Sequence, residues 1–203
     1  DGYYDFYVKA KDESGKEDPS PPSQSFTVAA TGAYFYVAPD SSGQYPTIQD
    51  AIDAAPSNAL ILVGPGVYDE MAIMWKPVQL QGWGEETRID AVKAPPESLL
   101  EWRQQVEDLV LSGQVTLVPG QEAAFGGVEP AALWTEEGAG VIVLGNTNNQ
   151  RRFSQNRNQG ARIDGFTISG ADTGGGIILN GFASDMLVTN NRVINNTGQY
   201  GGG

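Results

Sequence analysis

Two short segments near the end of the chain repeat each other, and this repeat limits the possible folds more than any other feature. Residues 167–170 read TISG and residues 193–196 read VINN, while residues 173–176 read TGGG and residues 200–203 read YGGG. The two offsets are about 26 and about 27 residues, a length typical of a solenoid repeat. Each repeat holds short apolar stretches, at 163–168, 177–179 and 186–188. The pattern predicts coils of parallel strands whose inward Ile, Val and Leu side chains stack into one continuous core.

Asparagine pairs stand between these apolar stretches, at residues 190–191 and 195–196. Asparagine tolerates the left-handed backbone conformation that a sharp corner needs. Stacked asparagine side chains also form hydrogen bonds from one layer to the next. We therefore expect corners at both pairs, and a tight glycine corner at residues 174–176, where no Lys-Ser/Thr pair or helix follows to form a phosphate loop.

The segment 47–56 predicts a short helix at the beginning of the solenoid. Thr47 is an N-cap with an acidic residue three positions later, the apolar residues follow at helical spacing, and Pro56 ends the helix. The first coil of a solenoid leaves an open, apolar end that must be covered to prevent edge-to-edge association. We expect Ile48 and Ile52 to lie against that end.

Short strands at about ten-residue spacing follow, at 60–63, 71–74, 78–81 and 88–91. An insertion at about 92–140 then interrupts them. It contains a helix with a capping box from Ser98 to Glu101 and a stop at Gly113, then a strand at 114–118 and a loop at 120–140. One face of that helix is apolar: Leu99, Trp102, Val106, Leu109 and Val110. A polar loop is expected at 146–160, with the basic cluster Arg151, Arg152 and Arg157.

The first 30 residues have a different character. Residues 3–10 alternate between two faces, residues 11–22 form a polar turn, and residues 25–29 predict a second strand. Two strands are too few for a stable domain, so the pair suggests the last hairpin of a sandwich. The spacing of Tyr4, Phe6, Val8, Ala10, Asp12 and Gly15 resembles the final two strands of a fibronectin type III domain. The predicted organisation is a partial hairpin at 1–30 and a solenoid at 34–203.

Composition excludes several kinds of function. The 203 residues include neither Cys nor His, so the chain has no disulfide, thiol nucleophile, zinc finger, HExxH site or Ser–His–Asp triad. With 25 acidic and 12 basic residues the net charge is −13, which disfavours nucleic acid and anionic membranes as partners. The sequence contains no apolar run long enough to predict a membrane span.

Residues 34–203 resemble the start of a right-handed parallel β-helix of the pectin-lyase-like superfamily. The resemblance depends on the segments 45–55, 63–70 and 76–82, which are similar in order to the N-terminal cap and first coils of pectin methylesterases and bacterial surface β-helices, and on residues 163–196. It implies an all-β solenoid with an N-terminal capping helix and a helical insertion. It does not choose an activity, because lyases, hydrolases, esterases, tailspikes and adhesins share this scaffold.

The known catalytic patterns of the superfamily are incomplete here. The four catalytic motifs of pectin methylesterases are missing; only Gly66-x-Tyr68-x-Glu70 matches the family, and we expect Glu70 to satisfy nearby backbone or a basic group. Polygalacturonase motifs include a histidine, which this chain lacks. A glycosidase needs two carboxylates at a defined separation, and Asp164 and Asp185 could supply them. The sequence supports this pair no better than any other two surface carboxylates. No catalytic residue is assigned.

Two residues are the candidates for binding. Asp172 is the best single candidate for calcium, although an aspartate in such a loop more often bonds its own backbone. The chain has four tryptophans that could stack on a sugar ring: Trp75, Trp83, Trp102 and Trp134. We expect Trp83 to be the exposed one, because it lies between two glycines. Trp102 is expected to pack in the core from its helix. Glu136 and Glu137 suggest a solvated turn.

These observations favour an exported, modular bacterial protein: an extracellular or cell-surface scaffold or binding protein that contacts polysaccharide or another protein chain, without a cofactor unless it is calcium. Two alternatives remain open. One is a polysaccharide-active enzyme with its catalytic coils beyond residue 203; the other is a subunit of a filament or surface assembly. The half-hairpin at the beginning and the uncapped repeat at the end lead us to expect a fragment of a longer polypeptide.

Overall fold

The computed structural model describes residues 2–17, 19–20, 23–28, 34–91, 96–118, 138–147, 153, 160–172 and 174–198. The chain divides into two compact units, Asp1–Ala33 and Tyr34–Gly203. In the described ranges, no helix is long and apolar enough to cross a membrane.

The first unit contains an antiparallel strand pair. β1 (Gly2–Tyr7) pairs with β2 (Ser23–Val28), from Gly2 opposite Val28 to Tyr7 opposite Ser23. The connection is tightened by an isolated bridge between Lys11 and Glu17 and by Gly15, whose φ of 86° lies in the left-handed region. The sequence prediction extended the first strand too far, since it ends at Tyr7, and began the second too late, since it starts at Ser23.

In its described residues the second unit is mostly β, with two helices and one short 3-10 helix, Gly84–Glu86. The helices are α1 (Ile48–Ala54) and α2 (Pro96–Leu111). The strands are β3 (Tyr34–Val37), β4 (Leu60–Val63), β5 (Gly66–Tyr68), β6 (Ala72–Met74), β7 (Gln79–Gln81), β8 (Thr87–Asp90), β9 (Val141–Val143), β10 (Arg162–Asp164), β11 (Thr167–Ser169), β12 (Ile177–Leu179), β13 (Leu187–Thr189) and β14 (Arg192–Val193).

These strands form three parallel sheets. The first sheet has the order β3-β4-β7-β10-β13, the second β5-β8-β11-β14 and the third β6-β9-β12. From β4 onward the chain therefore enters the first, second and third sheets in turn. Three successive coils each add one strand to every sheet, and β13 and β14 add strands of the next coil to the first two sheets. This is a stack of coils of parallel strands, consistent with the predicted parallel β-helix and with a solenoid-like core.

Alternate residues of the third sheet belong to two different cores. Ala72 and Val141 face the interior of the coils, together with residues of the other two sheets. Ile73 and Ile142, the next residue of each strand, point the other way and pack with Trp102 and the rest of the apolar face of α2. This is why β6 and β9 are buried on both faces, and α2 closes the outer face of the third sheet.

α1 covers the first coil as expected. Thr47 is its N-cap, and the Thr47 hydroxyl accepts the backbone N–H of Asp50 at 3.0 Å. Ile48 and Ile52 are fully buried in the interior core. The side-chain amide of Gln49 accepts the backbone N–H of Ile73 (2.7 Å) and donates to its carbonyl (3.3 Å). Gln49 thus occupies hydrogen-bonding groups on the edge strand β6.

The repeat register predicted from the sequence is wrong. Ile168 pairs with Val193 rather than with Ile194, and Ile163 pairs with Val188, so the true offset between these coils is shorter than the predicted one. A shift of one residue turns a strand's side chains to the opposite face. Glycine and asparagine at the corners match equally well at neighbouring positions, so the sequence comparison alone did not detect the error.

Asparagines stand at the corners, as predicted. Asn190 and Asn195 adopt positive φ of 55°. The side chain of Asn191 accepts the N–H of Phe166 (3.0 Å) and donates to the carbonyl of Ile163 (2.8 Å). Asn196 holds the preceding coil in the same way. These bonds do join one coil to the next, but the partners are backbone groups rather than the stacked asparagines that we expected.

The insertion differs from its prediction in two respects. α2 begins at Pro96, so Ser98 lies inside the helix rather than at its N-cap. Residues 114–118 form no strand: the backbone N–H of Thr116 donates to the carbonyl of Gly145, and the carbonyl of Thr116 accepts the side chain of Asn180. Two strands, β5 and β9, were not predicted, because such short strands carry too little periodicity. Residues 119–137 lie outside the described residues.

Candidate functional site

The most exposed tryptophan of the described chain lies at a corner between the first and second sheets. Trp83 follows the end of β7 and begins the 3-10 helix that leads into β8. Its side chain is 62% exposed, whereas Trp102 on α2 is 4% exposed. The predicted difference between these two tryptophans is therefore confirmed. We give the name Trp83 corner to Trp83 together with four residues at the same corner of this and later coils: Glu85, Asp164, Asn190 and Arg192.

The backbone of this corner is held by hydrogen bonds on both sides of Trp83. The N–H of Trp83 donates to the Thr87 hydroxyl (2.9 Å), which in turn donates to the carbonyl of Val63 (3.2 Å) in the preceding coil. The N–H of Gly84 donates to the carbonyl of Gly165 (2.8 Å) in the following coil. Gly82 is required, because a Cβ there would collide with the Gly165 carbonyl. The corner therefore presents the indole from a fixed backbone.

The same corner of the next two coils carries charged and amide groups. Asn190 donates through Nδ2 to Asp164 Oδ1 at 2.9 Å. Arg192 Nη1 lies 3.2 Å from Glu85 Oε1, and both side chains are more than half exposed. Sequence analysis did not single out Glu85, Asn190 or Arg192 as site residues. The correct repeat offset could have identified Arg192, because it places Arg192 directly beside Thr167 of the preceding coil.

An exposed indole on a corner that also carries charged and amide side chains has a recognisable chemistry. The flat apolar face of tryptophan gains free energy by covering an apolar ligand surface, and it loses little side-chain entropy in doing so. The surrounding carboxylate, amide and guanidinium groups supply the directional hydrogen bonds that fix orientation. A sugar ring has both features, an apolar face and a rim of hydroxyl groups.

Asp172 does not lie in a ligand set for calcium among the described residues. It is exposed, and its backbone carbonyl accepts the N–H of Gly175 at 3.4 Å, as in a turn. The described part of the chain contains no group of three or more Asp, Glu, His or Cys side chains arranged to hold a metal ion. Calcium requires six to eight oxygens.

The carboxylates considered as a glycosidase pair are not brought together by the strand register. Asp164 pairs with Thr189, whereas Asp185 lies before the start of β13, in a turn with φ of 60°. They thus stand toward opposite ends of the β10–β13 pair. Asp164 is in addition engaged by Asn190.

Glu70 has a structural role, as expected from its position. Its two carboxylate oxygens accept the backbone N–H groups of Ile48 (2.8 Å) and Gln49 (3.0 Å) at the beginning of α1. Burial raises the pKa of Glu70 to about 7, and the two N–H groups act in the opposite direction. The neighbouring motif residue Tyr68 donates to the carbonyls of Gly64 and Val37, and burial raises its pKa.

Of the other residues considered in the sequence analysis, the structure describes Trp75 and Gly175. Trp75 is partly buried, and its Nε1 donates to Asp53 Oδ1 at 2.7 Å. Gly175 has φ of 75° within the predicted tight corner. The other candidates lie outside the described residues: Trp134, Glu136, Glu137, Arg151, Arg152 and Arg157.

Comparison of the chain with protein-family models, with curated proteins and with solved structures gives no match.

Proposed function

We propose that residues 34–203 form a right-handed parallel β-helix related to the pectin-lyase-like superfamily, and that residues 1–30 are the last hairpin of a fibronectin type III-like module. The handedness is supported by a general rule, since connections between parallel strands of one sheet are right-handed in about 98% of cases. The relationship is supported by the order of the cap helix, the Gly66–Tyr68–Glu70 segment and the stacked coils.

We propose further that the protein is an extracellular or cell-surface scaffold that binds a glycan at the Trp83 corner. The observation that carries this proposal is the 62% exposure of the Trp83 side chain on a corner whose backbone is hydrogen-bonded to both neighbouring coils. The exposed indole leaves a large apolar surface in water and does not stabilise the fold by burial. A ligand ring that covers it removes this surface from water, which favours binding.

The test is binding of soluble oligosaccharides to the full chain, measured by isothermal titration calorimetry and by tryptophan fluorescence. We expect Trp83→Ala to weaken binding at least tenfold and Trp83→Phe, which keeps a ring, to weaken it less. Tyr34→Ala is the matched control, because Tyr34 exposes a similar aromatic fraction, 58%, at the edge strand β3. Equal affinity of Trp83→Ala and wild type would remove this site from the proposal, and release of shortened products would indicate the enzyme instead.

A further inference from the structure

Asn180, the residue that follows β12, joins the end of the insertion to the solenoid. Its side chain is 2% exposed. Nδ2 donates to the carbonyl of Thr116 at 2.8 Å, and Oδ1 accepts the backbone N–H groups of Gly145 (3.0 Å) and Phe182 (3.1 Å). Thr116 belongs to the segment that follows α2, and Gly145 follows β9. One buried amide therefore connects the insertion with two successive coils.

A second amide side chain holds the same segment of the insertion. Asn146 donates through Nδ2 to the carbonyls of Gly113 (2.7 Å) and Gln114 (3.1 Å). The backbone N–H of Thr116 also donates to the carbonyl of Gly145 at 2.9 Å. Residues 113–118 are thus fixed beside the carboxyl ends of β9 and β12, while α2 packs on the outer face of the third sheet. Their attachment depends on a few polar bonds.

The residue after Asn180 makes this position chemically reactive. Asn180–Gly181 is the only Asn-Gly pair among the 203 residues. Glycine has no side chain to crowd its backbone nitrogen, which can lose its proton to solvent and attack the side-chain Cγ of the asparagine. A bond forms between this nitrogen and Cγ, the bond from Cγ to Nδ2 breaks, and Nδ2 leaves as ammonia. Water then opens the resulting succinimide ring to aspartate or isoaspartate.

The folded structure opposes this reaction at Asn180. Ring closure makes Cγ tetrahedral and expels Nδ2, so it breaks the bond to Thr116 and strains the two bonds that Oδ1 accepts. Breaking a buried hydrogen bond leaves its partner without water to replace the loss, which raises the barrier. Gly181 itself is exposed. The hydrogen bonds of Asn180, rather than access to Gly181, therefore control the rate.

The product of the reaction does not restore the attachment. An aspartate at position 180 has no N–H to donate, so the carbonyl of Thr116 meets a carboxylate oxygen in a buried place, which is unfavourable. Isoaspartate also adds one carbon to the backbone at a residue whose N–H donates to Val143 and whose carbonyl accepts the N–H of Ala183. Either product therefore weakens the contact with the insertion.

We infer that Asn180–Gly181 is a site of covalent self-modification that makes opening of the insertion irreversible. While residues 113–118 are attached, Asn180 is protected; once they leave the solenoid, the succinimide forms and its hydrolysis products do not bind them again. Release of α2 with this segment uncovers the outer face of the third sheet, where Ile73 and Ile142 are fully buried. None of these residues belongs to the Trp83 corner, so glycan binding at that corner is a separate question.

The first experiment measures the rate of modification at Asn180. The full chain is kept at pH 8 and 37 °C in native buffer and in guanidinium chloride, and peptide mass spectrometry follows the loss of ammonia and the gain of water. We expect modification at least tenfold faster in guanidinium chloride. Asn146→Ala loosens residues 113–118 and should raise the rate in native buffer. Gln104→Ala is the matched control, because Gln104 donates to Asp108 within α2 and should leave the rate unchanged.

The second experiment tests what the modification does to the insertion. Anion exchange separates the modified chain, which carries an additional negative charge, and hydrogen–deuterium exchange compares it with the unmodified chain. We expect at least tenfold faster exchange in residues 96–118 and exchange within twofold in β10 and β11. Asn180→Asp gives the aspartate product directly, and the modified fraction of aged wild type is used if that variant does not fold.

The outcomes that overturn the inference differ between its parts. Equal rates in native buffer and guanidinium chloride, or no modification in either, overturn the protection of Asn180 by the fold. Equal rates in Asn146→Ala and Gln104→Ala overturn its dependence on the insertion. Unchanged exchange in residues 96–118 of the modified chain, or faster exchange in all of its strands alike, overturns the irreversible release.

Discussion

At the scale of single residues, Glu70 shows how one carboxylate joins two elements. It follows β5 in the chain, yet its oxygens accept the first N–H groups of α1, Ile48 and Gln49. The N-terminal N–H groups of a helix have no partners within the helix, so a carboxylate placed there satisfies them and interacts favourably with the helix dipole. Glu70 therefore fixes the capping helix to the first coil.

The raised pKa of Glu70 predicts a pH dependence of stability. With a pKa of about 7 in the folded state and an ordinary value of 4.5, the folded protein holds a proton that the unfolded chain has released. The free energy of unfolding should therefore fall as the pH rises from 4.5 to 7, by about 1–3 kcal/mol for this group. Urea titrations at pH 5 and pH 8 measure it. Glu70→Gln should flatten this dependence and exposed Asp69→Asn should not; a wild-type stability that rises across this range contradicts the prediction.

At the scale of elements, α2 is a second layer rather than part of the solenoid. Its buried residues Trp102, Val106 and Leu109 cover the outward residues Ile73 and Ile142 of the third sheet. The spacing of apolar residues predicted this helical face correctly. It did not indicate the partner, because the outward residues of β6 and β9 are as apolar as the inward ones.

Val106 tests the contact between α2 and the third sheet. Val106→Asp places an unpaired charge in the layer between the helix and the sheet and should reduce the free energy of unfolding by about 3–5 kcal/mol. Leu100→Asp is the matched control, because Leu100 is 60% exposed on the same helix and should change stability by less than about 1 kcal/mol. Chemical denaturation followed by circular dichroism compares the two. Equal effects would show that α2 does not pack on the sheet.

At the scale of the whole molecule, net charge sets the response to salt. The excess of acidic over basic residues gives a formal charge of −13 at pH 7 and a sequence pI of about 4.2. Such self-repulsion destabilises a compact state, and salt screens it over about 10 Å at 0.1 M. We expect the melting temperature at pH 7 to rise by a few degrees between 20 and 300 mM sodium chloride. The rise should shrink near pH 4.5, and a melting temperature that falls with salt at pH 7 contradicts the prediction.

The residues of the candidate site could be predicted from the sequence only in part. Trp83 was identified from its two flanking glycines, since glycines on both sides of a large aromatic residue indicate a corner. Arg192 was not singled out. Whether an arginine stands beside an acidic side chain depends on which residues of neighbouring coils lie next to it, and Glu85, the partner of Arg192, is far from it in the sequence.

The local features of this protein can be predicted from its sequence: the capping helix with Thr47 as N-cap, the apolar face of α2, the asparagine corners, and the stacking of short strands with a solenoid-like period. These depend mostly on residues within a few positions of each other, so local physics decides them. The exact register, the strands β5 and β9, the burial of β6 and β9 on both faces and the contact of Arg192 with Glu85 emerge only when the coils are stacked. Each of these depends on contacts between coils, where a shift of one residue reverses the face that a side chain occupies.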